Sequence, residues 1–424
     1  MANLDACAQS SMNGARALVV GAGIVGTCCA IYLRRTGFNV TLVERDAPGE
    51  SCSFGNAGSI GLSSYLPTSL PGLIWKVPRM IVDARSPLQV NRSRLVRSLP
   101  WFLRFLQAGR PGRVERIIAA RKALLDRVLE AFEPILAESG TEPLIKVRGK
   151  LVVYGGEQSY RADALDHAVR RESGVRFDEL TGNETRQREP ALGERARRSI
   201  FLPDLRHCVN PLRLTQSLVR HFVDRGGHLV RETVRGFQFE PDGTVRVLLD
   251  AGTREADVVV IAAGIWSRSL AASLGIKVPL ESQRGYHAML PEPGIRLHQP
   301  VLWSNRKVII TPMEHGVRVS GIAEHAGLDA PPNYRLADLV VEHARELIPG
   351  LRCEGASRWM GHRPATPDSL PVIGRAPKHP SVLLAFGHGH TGLTLAAVTG
   401  KLIAEMAANR PTTVDIEPYS PERF

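Results

Sequence analysis

Residues 17–26 read Ala17-Leu18-Val19-Val20-Gly21-Ala22-Gly23-Ile24-Val25-Gly26, an apolar strand that runs into GxGxxG and then into the helical pattern of Thr27 to Thr36. Strand, glycine turn and helix in that order make a dinucleotide cradle. Gly21 permits the tight turn, Gly23 lets the backbone approach a pyrophosphate, and Gly26 allows close helix–strand packing. Phosphates then meet the unpaired N–H groups at the positive end of the helix, around Ile24 and Val25. A second strand, Asn39-Val40-Thr41-Leu42-Val43, ends in Glu44, eighteen residues past Gly26 and followed by Arg45. A carboxylate there holds ribose hydroxyls, which favours FAD or NAD and disfavours a 2′-phosphate.

The chain has 424 residues, enough for two closely joined domains of an enzyme. Its hydrophobic fraction of 43% and charged fraction of 23% are ordinary for a soluble globular protein. The six cysteines show no CxxC and no paired spacing, so neither a disulfide framework nor a metal site is expected, and a reducing cytoplasm fits. Residues 1–14 read as a short disordered leader without an apolar core segment. Net charge is +12, and residues 76–128 alone hold thirteen Lys/Arg against Asp83, Glu115 and Asp126, a surplus of ten. Trp75, Trp101, Phe102, Phe105 and Leu106 are interleaved with Arg97 and Arg104. Two readings stand: a basic amphipathic helix resting on the inner face of an anionic membrane, or a solvated helix face with its aromatics packed inward. No nucleic-acid reader motif accompanies the charge.

Beyond the cradle, Ser51-Cys52-Ser53-Phe54-Gly55-Asn56-Ala57-Gly58 is a small-residue loop suited to wrapping a cofactor. Leu66 to Gly112 is broken by Pro67, Pro71, Pro78, Pro87 and Pro100 into short helices and turns, and Pro111 to Ser139 carries a 3.6-residue apolar period. Gly149 to Tyr154 is a strand, and Gln158 to Glu172 and Leu212 to Arg225 are helices. His228 to Phe239, Thr244 to Leu249 and Asp257 to Ile261 are strands, with a hairpin at Asp242-Gly243. Val258-Val259-Val260-Ile261-Ala262-Ala263-Gly264-Ile265-Trp266 is a buried strand delivering a second small-residue turn. Leu280 to Ile322 is strand-rich and includes Arg284-Gly285-Tyr286, and Ala337 to Leu347 is helical. Near the C-terminus stand Gly361-His362-Arg363-Pro364-Ala365-Thr366-Pro367-Asp368-Ser369-Leu370-Pro371 and Gly387-His388-Gly389-His390-Thr391-Gly392-Leu393-Thr394, the latter opening a long apolar helix whose positive end faces the turn.

With the N-terminal cradle, these motifs resemble the FAD-dependent D-amino-acid oxidase superfamily over nearly the whole chain, most closely its bacterial D-amino-acid dehydrogenases of the small-subunit type. The resemblance implies an α/β fold: a discontinuous Rossmann-like FAD-binding domain (15–62, 175–198, 212–274 and 361–424) and a mixed β-sheet α+β substrate domain (63–174, 199–211 and 275–360). It implies FAD contacts from Gly21, Gly23, Ile24, Val25, Gly26, Glu44, Arg45, Ser53, Asn56, Ala57, Gly58, Val234, Ala263, Gly264, Trp266, Gly389, Thr391, Gly392, Leu393 and Thr394. Arg363 would grip the substrate carboxylate, Tyr286 would assist, and His390 would face the amine or side chain, although a core or surface histidine is an equal reading.

The expected activity is oxidative deamination of D-amino acids to 2-oxo acids and ammonia. With the carboxylate clamped, hydride passes from Cα to flavin N5 and no strong general base is required; electrons continue to a quinone or another carrier. FAD is expected to be tight and non-covalent, since Ser51 to Gly58 has no histidine. Two alternatives remain open: cyclic or N-substituted substrates such as D-proline, cis-4-hydroxy-D-proline, sarcosine or glycine, and a flavin-bearing structural subunit of a larger complex. NAD-dependent chemistry leaves the second glycine cluster without a role.

Overall fold

The computed structural model describes residues 14–72, 83, 85–91 and 95–424; residues 1–13, and with them most of the expected leader, lie outside the described residues. The strand Arg16–Val20 sits inside a six-stranded sheet ordered His228–Arg231, Asn39–Glu44, Arg16–Val20, Val258–Ile261, His379–Phe386, Val372–Ala376. Every neighbouring pair is parallel except the last. Ala17 and Val19 point into one core, Leu18 and Val20 into another. Burial on both faces is why this strand is continuously apolar rather than alternating.

The helices Ile24–Arg35, Pro211–Asp224 and Gly392–Ala407 build the first core. The first and last of them approach so closely that a Cβ on Gly400 would lie 2.6 Å from the Cys28 carbonyl. Cys28 and Cys29 are fully buried packing residues there. On the other face lie a three-stranded meander (Val234–Phe239, Val245–Leu249, Gly252–Ala256) and the helix Ser267–Ser273. The single strand expected over 228–239 is broken at Glu232-Thr233: its first half ends the parallel sheet and its second half opens the meander.

A nine-stranded sheet forms the second layer. Its order is Ser357–Ala365, Glu281–Leu290, Gly316–His325, Val308–Met313, Val301–Trp303, Lys150–Tyr154, Arg198–Leu202, Asp178–Thr181, with Leu88–Val90 alongside Gly316–His325. Helix Arg335–Leu347 covers one face with an apolar core, and the opposite face looks toward the dinucleotide half. Asp178–Thr181, placed with the cofactor domain by sequence, is an edge strand of this sheet. The strand Ser357–Ala365 belongs to it as well. Conversely, the helices Pro111–Leu125 and Val128–Ser139 bury Ile117, Leu124, Phe132 and Ile135 in the cofactor-side core, and the Tyr32 hydroxyl donates to the Ala131 carbonyl at 2.5 Å. The helix expected over 158–172 is split at Asp163, whose carboxylate accepts from the Ser304 hydroxyl at 2.6 Å.

In the basic segment, Trp75 and residues 76–82, 84 and 92–94 lie outside the described residues. Helix Leu95–Ala108 turns Trp101 inward, with its indole N–H donating to the Ala365 carbonyl, and leaves Leu99 and Leu103 about half exposed. Among the described residues no helix is long and apolar enough to cross a membrane.

Candidate active site

Five turns leave the C-terminal ends of the five parallel strands on one edge of the sheet, where ligands of such sheets bind. They line a cleft with a cavity volume of about 340 Å³. Of the residues singled out by sequence, Gly21, Gly23, Ile24, Val25, Glu44, Arg45, Ser53, Asn56, Val234, Ala263, Gly264, Trp266, Gly389, Gly392 and Leu393 are in that lining.

The cradle is built by close backbone approach. Gly21 has φ +105°, and a Cβ on it would lie 2.7 Å from the Ala262 carbonyl oxygen; a Cβ on Gly26 would lie 1.9 Å from the Gly21 oxygen. Gly26 therefore works behind the wall, by packing. Ser53 Oγ accepts the Ile24 N–H at 2.9 Å, leaving Val25 and Gly26 as first-turn donors that a helix cannot satisfy itself. The Glu44 carboxylate accepts from the N–H groups of Ala22 (2.7 Å) and Arg45 (3.0 Å), which fixes it at the strand end. The Arg45 guanidinium stacks 3.9 Å from the Trp266 ring, bridging two of the turns.

Some expected cofactor contacts stand outside the lining. Gly58 is needed for packing: at φ +75° its missing Cβ makes room for the Cys208 carbonyl, and its N–H bonds to Asn56 Oδ1 at 2.8 Å. Ala57, Thr391 and Thr394 are also set back. The Thr391 hydroxyl donates to the His388 carbonyl, and Thr394 Oγ1 accepts the Gly61 N–H at 3.0 Å. His388 does line the cleft, but its ring is committed: it bonds to Thr399 at 2.9 Å inside the last helix, and burial pushes its pKa down to about 3.

Arg363 lies on the strand Ser357–Ala365 between His362 and Pro364, both in the cleft wall. Among the described residues its guanidinium has no carboxylate within 4 Å and no hydrogen-bond partner, although it is mostly buried. Its berth is made by Gly285: a Cβ there would lie 2.2 Å from Arg363 Cζ. Burial lowers the Arg363 pKa, with Cys52 acting the other way. Burial also pushes the Cys52 thiol up to about 11, so it stays protonated and donates to the His362 carbonyl at 2.9 Å.

Tyr286 corrects an expectation. In a pleated strand, neighbours alternate faces; Gln283, Gly285 and His287 share the face of Arg363, and Tyr286 points the opposite way, into the core under helix Arg335–Leu347. Its hydroxyl donates to Glu324 Oε2 at 2.6 Å and accepts the Asn333 N–H at 3.1 Å, so it is committed away from the cleft. His390 is exposed at the closing turn with no side-chain partner among the described residues. Its edge is open to solvent, but the protein crowded around the ring, and after it the charges of Arg121, Arg363 and Lys150, lower its pKa, leaving a neutral imidazole near pH 7.

A family profile described as FAD dependent oxidoreductase matches residues 16–406. The chain belongs to this family. A D-amino-acid oxidase of Bradyrhizobium diazoefficiens is 34% identical over 97% of this chain and 99% of its own length. A D-amino acid dehydrogenase of Vibrio vulnificus is 29% identical over 96% of this chain and all of its own. The glycine oxidase structure from Geobacillus kaustophilus superposes with a TM-score of 0.76 at 21% identity, covering 97% of this chain and 99% of that one, which is a likeness of fold.

The residues present fit FAD. The glycine cradle leaves room that a Cβ would fill, Glu44 stands at the ribose position, and helix Gly392–Ala407 brings its positive end to the far side of the cleft. Sequence reasoning missed Arg318, which donates to the carbonyls of Phe54 (2.7 Å) and Asn56 (2.6 Å) and so ties the flavin-side loop to the second sheet. It also missed His287, stacked 4.9 Å from Trp359 and donating to the Gly55 carbonyl. Only strand alternation along 316–325 and 281–290 marked either as facing the loop.

Proposed function

We propose that this FAD-dependent oxidoreductase oxidises D-amino acids to 2-oxo acids and ammonia and passes the electrons to a quinone or another carrier. The observation that carries the reading is Arg363, a mostly buried guanidinium without a counter-ion beside a dinucleotide cleft. A substrate carboxylate supplies the missing partner, and the planar fork fixes its orientation bidentately. The D-configuration is supported by the names of the two relatives.

Bound FAD supplies a two-electron acceptor. The chain's own part is positional: Arg363 holds the carboxylate, so the Cα–H has one direction to point, and neutral His390 is available to accept a hydrogen bond from the substrate amine. Hydride loss requires the neutral amine, whose lone pair forms the imine. The imine formed on losing hydride hydrolyses in water. The high pKa of Cys52 supports non-covalent flavin, because a protonated thiol is a poor nucleophile.

Anaerobic mixing of purified yellow protein with D- and L-amino acids, D-proline, glycine and sarcosine tests this. Rapid bleaching by D-amino acids is expected; bleaching by L-isomers or by none of the set overturns the reading. Subsequent admission of air, or of a soluble quinone, identifies the acceptor, with recovery through the quinone expected. Leu99 and Leu103, exposed beside Arg104, support peripheral contact with anionic lipid, checked by salt-sensitive co-sedimentation with vesicles.

A further inference from the structure

The order of the parallel sheet fixes which end of the cleft is which. Asn39–Glu44 stands on one side of the cradle strand Arg16–Val20, and Val258–Ile261 and His379–Phe386 stand on the other. A dinucleotide whose adenosine ribose meets Glu44 therefore carries its remaining half past the cradle, toward the turn Gly264–Trp266 and the closing turn at 387–393. His362 joins the cleft wall between those two turns. Its ring meets the Trp266 ring edge-on, with centroids 6.2 Å apart, and both residues line the cleft. The strand that carries it is tied to the closing turn, since the Gly389 N–H donates to the Pro364 carbonyl at 2.9 Å and Ala365 bridges to His388.

The surroundings of His362 decide which ring nitrogen carries its proton. Nδ1 lies 2.8 Å from the Ser282 hydroxyl, and among the described residues that hydroxyl has no other acceptor. Ser282 is 2% exposed, so its O–H is satisfied by Nδ1, and the ring proton stays on Nε2. Burial lowers the His362 pKa, with the charges of Arg284 and Arg45 acting the same way and Asp329 against them, so near pH 7 the ring is neutral and has that single N–H to give. The backbone is held too, because the Cys52 thiol donates to the His362 carbonyl at 2.9 Å. Among the described residues Nε2 has no hydrogen-bond partner. A donor fixed in tautomer and left unspent in a half-buried cleft wall is satisfied by an acceptor on what fills the cleft.

We propose that His362 is a cofactor contact, donating through its Nε2–H to the flavin half of FAD, and that Ser282 is the residue that positions it. Sequence motifs gave neither a role. The inference rests on membership of the FAD-dependent family and is independent of which substrate the enzyme oxidises.

The test compares the wild-type holoprotein with His362→Phe, His362→Gln and Ser282→Ala. Phenylalanine keeps an aromatic ring against Trp266 and removes the donor, glutamine puts an amide N–H near the Nε2 position, and alanine at 282 frees the ring and its tautomer. Fluorescence of FAD released on dilution gives its dissociation constant, and competition by ADP, which carries the adenosine and pyrophosphate without the flavin, gives a second constant. His362→Phe is expected to weaken FAD about tenfold and Ser282→Ala about threefold, with His362→Gln back within about twofold of wild type, the range for one hydrogen bond. The ADP constant should not move in any of them. FAD affinity unchanged in His362→Phe overturns the proposal, as does a loss shared equally by FAD and ADP, which marks a collapsed cleft rather than a lost contact. His362→Gln no better than His362→Phe overturns the donor, and an unaltered Ser282→Ala protein overturns the positioning.

Discussion

Arg363 can stand where it does because residue 285 has no side chain. The guanidinium occupies the volume a Cβ on Gly285 would take, and the intruding methyl of Gly285→Ala meets the end of a flexible side chain rather than backbone. The fold survives that substitution and the guanidinium moves. Gly285→Ala is therefore expected to keep full FAD content while kcat/KM for the best amino acid falls about 10- to 100-fold, in line with what a displaced binding group costs. Arg363→Leu, which removes the charge outright, should cost about 10²- to 10³-fold, the range for losing a charge-assisted pair. A Gly285→Ala enzyme with unchanged steady-state kinetics would refute the berth. Tyr286→Phe separates the two faces of the same strand: it loses the bond to Glu324, worth about 1–3 kcal/mol of stability because the acceptor is charged and buried, and should leave KM for the amino acid unmoved. Sequence could name Arg-Gly-Tyr as one motif but not say which member faces the cleft. Face is set by register, and the pairing of Glu281–Leu290 with Gly316–His325 shifts between Gly285 and Tyr286.

Among elements, the helices Ile24–Arg35 and Gly392–Ala407 matter most, because each presents its N-terminus to the cleft and each holds the other in place. Their contact relies on Gly400 against Cys28 and Cys29, backbone to backbone. Gly400→Leu has no room without parting the two helices, and is expected to lower stability by about 1–3 kcal/mol or more and to loosen FAD, read as a lower melting temperature with a smaller shift on adding FAD. A stable, fully yellow variant would show the approach is not required. The cradle half of this arrangement was legible because its signals are local: apolar strand, GxGxxG and an acid eighteen residues later lie within thirty residues. What was not legible is non-local. The 3.6-residue period of Ile117, Leu124, Val128 and Phe132 announces a buried stripe without naming the core that receives it, and that core proves to be the cofactor side. Asp178–Thr181 is short and mostly exposed, so nothing in its composition ties it to the sheet edge it occupies. The break at Glu232-Thr233 falls between two runs of the same strand propensity, and only the change of sheet reveals it.

For the whole molecule, the strongest consequence lies in histidines the chemistry does not use. His207, His287, His325, His343 and His388 are all 5% exposed or less. Burial leads the causes in each, lowering His287 and His388 to about 3 and His207, His325 and His343 to about 4. Unfolded, each binds a proton near pH 6.5. Between there and about pH 4 the unfolded chain therefore holds more protons than the folded one, and stability rises with pH across that window: it is fully present above about 6.5 and is lost as the solution is acidified. Each such proton contributes a slope of about 1.4 kcal/mol per pH unit. His325 isolates one of them, since its ring is boxed by Trp101 and Phe102 at 5.1 Å and its Nδ1 has no partner. His325→Phe keeps the aromatic contacts and removes the proton site. Urea unfolding midpoints measured from pH 7.5 to 4.5 should fall less steeply for the variant, by close to one proton's worth. Parallel profiles would mean that the ring already takes up its proton in the native state, and that burial there is less complete than the packing of Trp101 implies.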